Sequence, residues 1–221
     1  MSELASESMN TGEGGRGDNS STVTVFPIGH YMGERHPEQH HVVRVGLAHQ
    51  TLTPDEFGVW VLSHGTDEIG RDAWTLGAVF DLAESAGITG APELVPTMVA
   101  AGLLDTVAKG PRGPADARRF AETHRMHPML IGLGNTDAEP DRYQVGFPGQ
   151  PPVAVLDEAQ YELWQWGQLA PSLWHTCEVR EKVAAGLGEP AVAADLVGDL
   201  LGDLRGLLAN SCAYLDLARQ G

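Results

Sequence analysis

The sequence predicts a helix-rich α+β protein made of two tandem units, each a small antiparallel β-sheet followed by three helices. Three observations predict it. First, Leu52-Thr53-Pro54-Asp55-Glu56-Phe57-Gly58-Val59-Trp60 is echoed 104 residues later by Leu156-Asp157-Glu158-Ala159-Gln160-Tyr161-Glu162-Leu163-Trp164. Each copy carries a capping residue (Thr53, Asp157) with Glu56 or Gln160 three positions on, the pairing that satisfies backbone N–H groups orphaned at a helix start. Second, flanking matches recur at steps of 100 or 104: Val45-Gly46-Leu47 with Val145-Gly146-Phe147, Asp72-Ala73-Trp74 with Ser172-Leu173-Trp174, Gly102-Leu103-Leu104 with Gly206-Leu207-Leu208. Third, β-patterned runs precede each capping box and helical spacing follows it. A repeat of about 100 residues is a usual domain size.

Residues 1–21 are rich in Ser, Gly, Glu and Asn with almost nothing to bury, which predicts a disordered tail. The first unit spans 22–108. Strands are expected over 22–26, 41–47 and 50–52, because β-branched residues cluster there between Gly and Pro breaks. Helices are expected from Pro54 to Gly65, from Asp72 to Gly87, and from about Pro92 to Gly102, with Pro96 near the tolerated start of the third.

Residues 109–127 read as a basic linker, with Gly-Pro pairs first and then a short amphipathic helix around Phe120. The second unit, 128–221, repeats the order, with strands over 129–133, 143–147 and 153–156. Helices follow over 158–168, 173–185 and 191–209. In the last, Leu196, Val197, Leu200, Leu201, Leu204, Leu207 and Leu208 make an apolar stripe, and Gly198, Gly202 and Gly206 a ridge of bare backbone. Each interior Gly costs up to about 1 kcal/mol against Ala, which predicts a helix packed against the ridge, in the same chain or a twin subunit.

Composition narrows the function. With 14 basic and 30 acidic residues the net charge is −16, a surface that repels phosphate backbones and anionic lipid. No apolar run approaches the roughly 20 residues of a membrane span, and the N-terminal stretch lacks the basic and apolar regions of a signal peptide. Cys177 and Cys212 read as buried free thiols, so a cytoplasmic protein is expected.

Catalytic signatures are absent: there is no Gly-x-Ser-x-Gly, His-Glu-x-x-His, Cys-x-x-Cys or nucleotide-cradling loop. His175 and Cys177 are two apart on a helix and point to different faces. A non-catalytic protein with no cofactor is therefore expected. His30, His36, His40 and His41 fall within twelve residues, but their spacing fits no familiar metal finger and a solvated loop is the simpler reading. The five Trp residues sit mostly at matched helix positions, which argues for core.

Three helices with strands point to winged-helix-like units, and so to a DNA-binding regulator. The third helix of each unit argues against it: Pro92 to Ala101 offers only Glu93, and the second copy sets Asp195, Asp199 and Asp203 in a row with Arg205 alone near the end. Base readout needs Arg, Lys, Asn or Gln there. Nucleic acid could still meet the linker, where Lys109, Arg112, Arg118, Arg119 and Arg125 against Asp116 and Glu122 give +3, or that patch could dock an acidic partner.

The runs Leu52-Thr53-Pro54-Asp55-Glu56 and Val155-Leu156-Asp157-Glu158, Gly65 after the first helix, and Ala191-Val192-Ala193-Ala194-Asp195-Leu196-Val197 with Leu200-Leu201-Gly202-Asp203-Leu204 resemble PqqD-like domains. These are leader-peptide recognition elements of ribosomal-peptide modification pathways. The second copy departs in having Gln168-Leu169 where the first has its Gly, and two units in one chain depart from the usual single one. The resemblance implies that a peptide, here a basic one, adds as a strand to the sheet edge beside the third helix. The edges would be Gln50, Thr51 and Leu52 with Leu94 and Met98 as groove walls, and Val153, Ala154 and Val155 with Leu196 and Leu200. A homodimer is compatible with the pattern.

Overall fold

The structure is a computed structural model that describes residues 19–66, 74–189 and 191–219. The first repeat runs β1 (Val23–Pro27), β2 (His30–Arg35), β3 (His40–Val45), β4 (Ala48–Leu52), α1 (Pro54–Leu62), α2 (Leu76–Ser85), α3 (Ala91–Ala100) and β5 (Leu104–Ala108). After α4 (Gly113–Thr123) the same order returns: β6 (His124–Pro128), β7 (Ile131–Thr136), β8 (Glu139–Gly146), β9 (Ala154–Leu156), α5 (Glu158–Trp166), α6 (Leu173–Leu187), α7 (Ala193–Ala209) and β10 (Ala213–Leu217). The fold is α+β, and the duplication extends to strand pairing. β2-β3-β4 and β7-β8-β9 form antiparallel three-stranded sheets, while β1 pairs with β5 and β6 with β10.

Both capping boxes are formed. Thr53 accepts from the Glu56 amide and Asp157 from that of Gln160, and each partner side chain accepts from the cap's own N–H. Two further contacts repeat. The indole N–H of Trp60 donates to the Ile28 carbonyl at 3.1 Å, and that of Trp164 to Met129 at 3.0 Å. Phe57 stacks on His41 at 3.8 Å and Tyr161 on Tyr143 at 4.2 Å. The matched aromatics thus bolt the first helix of each unit to its sheet.

The structure corrects several sequence expectations. The histidine-bearing segment is mostly strand: His30 lies in β2, His40 and His41 in β3, and His36 in the hairpin turn between them. The strands β5, β6 and β10 were not foreseen: His124-Arg125-Met126-His127-Pro128 holds no β-branched residue, and only its pairing with β10 makes it a strand. The second helix begins at Leu76 with Thr75 as its cap, accepting from the Ala78 amide, so Trp74 precedes it. Asp72 and most of the expected tail, 1–18, lie outside the described residues. Asn19–Thr22 is a turn of 3-10 helix against α2. Pro96 lies inside α3 rather than in its first turn.

The expected linker is built into the core. Ala117, Phe120 and Ala121 of α4 are buried, and Phe120 packs on Phe26 of β1 with ring centroids 4.5 Å apart. Apolar residues of both repeats join in one core. A polar contact also ties the halves. Asp216 of β10, 3% exposed, accepts from the amides of Gly46 (2.6 Å) and Leu217 (2.9 Å) and from Arg44 (2.9 Å). Burial alone would raise the Asp216 carboxyl; the amide donors and Arg44 outweigh it and hold it below the ordinary carboxylate range. Arg205 of α7 reaches back to Thr24 at 3.0 Å and lies over the Phe26 ring.

Among the described residues no helix packs on the start of the glycine ridge. A Cβ at Gly198 or Gly202 would meet nothing within 4 Å, and only Gly206 is closely approached, by the Gln160 side chain of α5. The acidic row is broken as well, since Asp203 is buried and faces Arg180 at 3.9 Å.

Candidate peptide-binding surfaces

β4 and β9 occupy the same place in the two repeats, and each ends its sheet, paired with one neighbour only among the described residues. In β4, Thr51 is exposed, Gln50 half-buried and Leu52 fully buried. In β9 and just before it, Val153 and Val155 are 46% and 40% exposed while Ala154 and Leu156 turn into the core. Strand alternation produces this split: one face seals the sheet on the helices, and the other leaves two β-branched side chains in water.

The groove walls expected from the third helices are not there. Met98 and Leu200 are 1% and 0% exposed, and Leu94 and Leu196 are half-buried. α3 packs on α1, α2 and β5, and α7 on α4, α5, α6 and β10. Apolar residues at helical spacing on these helices face the core, so the edges stand without a wall from that side.

The basic segment is largely engaged within the chain. Arg119 holds Asp105 through Nη1 and Nη2 (2.8 and 2.9 Å) and donates to the Thr106 carbonyl; Arg118 pairs with Glu122 at 2.8 Å and lies over the Trp174 ring. Arg125 sits against β10 with Nε and Nη1 buried and unpartnered, and burial pulls its guanidinium below the usual arginine range. Lys109 and Arg112 are exposed. A docking patch of five cations therefore does not form.

The four histidines separate. His30 stacks on Tyr214, His41 on Phe57, and His36 lies 3.9 Å from Glu34. Among the described residues no group of three or more His, Cys, Asp or Glu comes together as a metal site. Cys177 and Cys212 are buried, and burial pushes Cys177 up to about 11, which suppresses thiolate chemistry.

One apolar surface escaped the sequence reading. Between α5 and α6 a groove of about 710 Å³ is lined by Leu163, Trp166, Leu169, Val179, Val183 and Leu187. Trp166 is 57% exposed, against 9% for Trp164 beside it. The signal was present: Val179, Val183 and Leu187 recur every four residues, but such spacing reads first as core. Glu162 and Glu189 stand on the groove's lining with His175 and Arg180.

No family model matches this chain, and neither a curated protein nor a solved structure shows detectable similarity to it. No helix among the described residues is long and apolar enough to cross a membrane.

Proposed function

We propose that this protein is a non-catalytic polypeptide-binding module that takes an extended, basic segment as an added strand on β9. The observation that carries the reading is the edge of the second repeat, where Val153 and Val155 are exposed and β9 pairs, among the described residues, with β8 alone. An unpaired edge offers main-chain hydrogen bonds to a strand, and flanking side chains select its sequence. The charge of −16 favours a Lys- or Arg-bearing segment. A winged-helix-like unit resembling PqqD-like domains, working in a peptide modification pathway, agrees with this mode. The first repeat's β4 edge, bearing Thr51, is the weaker site of the two.

A second reading has its own observation. The α5–α6 groove is shaped for the apolar face of an amphipathic helix, with apolar anchors at i, i+3 or i+4 and i+7. The two readings separate by mutation. Peptides selected from a random library against the purified protein should be rich in Lys and Arg. Replacing Val153 and Val155 together by Lys should weaken their binding at least tenfold and leave the thermal midpoint unchanged. If instead Val179→Asp with Val183→Asp abolishes binding while the lysine variant retains it, the groove is the site and the edge reading fails.

A further inference from the structure

We propose that the cleft where the two repeats meet is a binding site for a flat, uncharged aromatic ring. The cleft has a volume of about 360 Å³, at the small end for ligand pockets and sufficient for one or two fused rings. Its walls are two sets of rings. On one side Tyr31 stacks on Phe57 at 4.7 Å, Phe57 on Trp60 at 6.1 Å, and Trp60 meets His64 edge-on at 4.4 Å. On the other side His30 stacks on Tyr214 at 4.5 Å, with His127 behind at 4.8 Å.

Charge supplies the second argument. In a chain with 44 charged residues (14 basic and 30 acidic), no lining residue among those described is Asp, Glu, Lys or Arg. The charged form is disfavoured at both lining histidines: burial lowers His30 below its ordinary range and His64 to about 4. Among the described lining residues a charged ligand would find no counterion, whereas an aromatic ring finds apolar ring surface to pack on.

Backbone geometry adds a third, independent observation. Gly102 ends α3 at φ 71°, with its N–H on Val99 and that of Leu103 on Met98. The same pair of bonds ends α7, from Ser211 to Leu208 and from Cys212 to Leu207, but Ser211 takes the left-handed position at φ 53°. Glycine suits that position, and a serine there is strained. Ser211 lines the cleft. The hydroxyls of Tyr31 and Tyr214 are engaged by His41 and Arg44. Ser211 is thus the remaining hydroxyl at this wall; its place at the helix end is that of Gly102, so the sequence pairing of Gly102 with Gly206, which lies within α7, does not hold in the fold.

This site is separate from the β9 edge and the α5–α6 groove, and stands or falls apart from them. The test is NMR titration of the full chain with indole and with N-acetyltryptophanamide, following the Trp60 indole N–H. Saturable shifts of that signal are expected. Indole binding the tighter of the two would assign the site to a free small molecule; N-acetyltryptophanamide binding tighter would assign it to an aromatic side chain of a bound polypeptide. Val61, 43% exposed on α1, also lines the cleft, so Val61→Trp should fill it and weaken binding at least tenfold without lowering the thermal midpoint. Ser211→Gly should raise the midpoint and still weaken binding, by about two- to tenfold, the worth of one hydrogen bond. No saturable shift with either probe, equal binding by Val61→Trp, or binding of indole-3-acetate as tight as that of indole would overturn the proposal.

Discussion

Asp216 joins the repeats with a single carboxylate, and its removal should be felt by both. It is buried, it satisfies two amides, and it anchors Arg44 from β3. Asp216→Asn should cost about 2–4 kcal/mol, because it breaks a largely buried pair and leaves a guanidinium behind; urea midpoints measure it. Titration of the histidines gives a second expectation at this scale. Burial lowers His64 to about 4, and His127 to about 4 by burial and by Arg125 beside it. The unfolded chain takes up these protons as pH drops below about 6.5, whereas the fold resists until about 4. Their neutral forms therefore favour the fold fully above pH 6.5, and stability should decline between pH 6.5 and 4, by on the order of 3 kcal/mol from the buried His64 and by a smaller, solvent-screened share from His127. Asp216, held below its ordinary range, adds its own loss only as pH falls further. A pH series of thermal unfolding checks this, and a flat profile across that window would contradict it.

At the scale of elements, α7 carries more glycine than its packing uses. Gly198 and Gly202 face open space, so Gly198→Ala and Gly202→Ala should each stabilise by about 0.5–1 kcal/mol. Gly206→Ala should stabilise less than either, since the new methyl meets the end of the Gln160 side chain, which must move and strain the α5 capping box. The difference is readable by denaturant unfolding. The capping boxes were legible because their chemistry is local: a side chain and an amide three residues apart suffice. The same holds for the β4 and β9 strands, named from β-branched residues lying just before each capping box. What remained illegible is long-range. Nothing in His124 to Pro128 announces a strand until β10 comes alongside, and Met98 and Leu200 could be told from groove walls only once their neighbours were in place. Trp166 shows the converse, an aromatic at helical spacing that the fold leaves in solvent.

For the whole molecule, the shared core makes one cooperative unit of two repeats. Phe26 on Phe120, Arg44 on Asp216 and Arg205 on Thr24 all cross between them. Thermal unfolding should show a single transition, and a chain cut after residue 112 should lose the cover over β1 and fold poorly, as circular dichroism of the fragment would show. The surfaces left over from this union are the candidate sites: a cleft at the junction, a groove on α5 and α6, and an open edge at β9. The functional account turns on that edge. Amide hydrogen exchange, read residue by residue with and without a basic peptide selected against the protein, tests it most directly. Slowed exchange across residues 153–156 is the expected result; unchanged exchange there under saturating peptide would contradict strand addition.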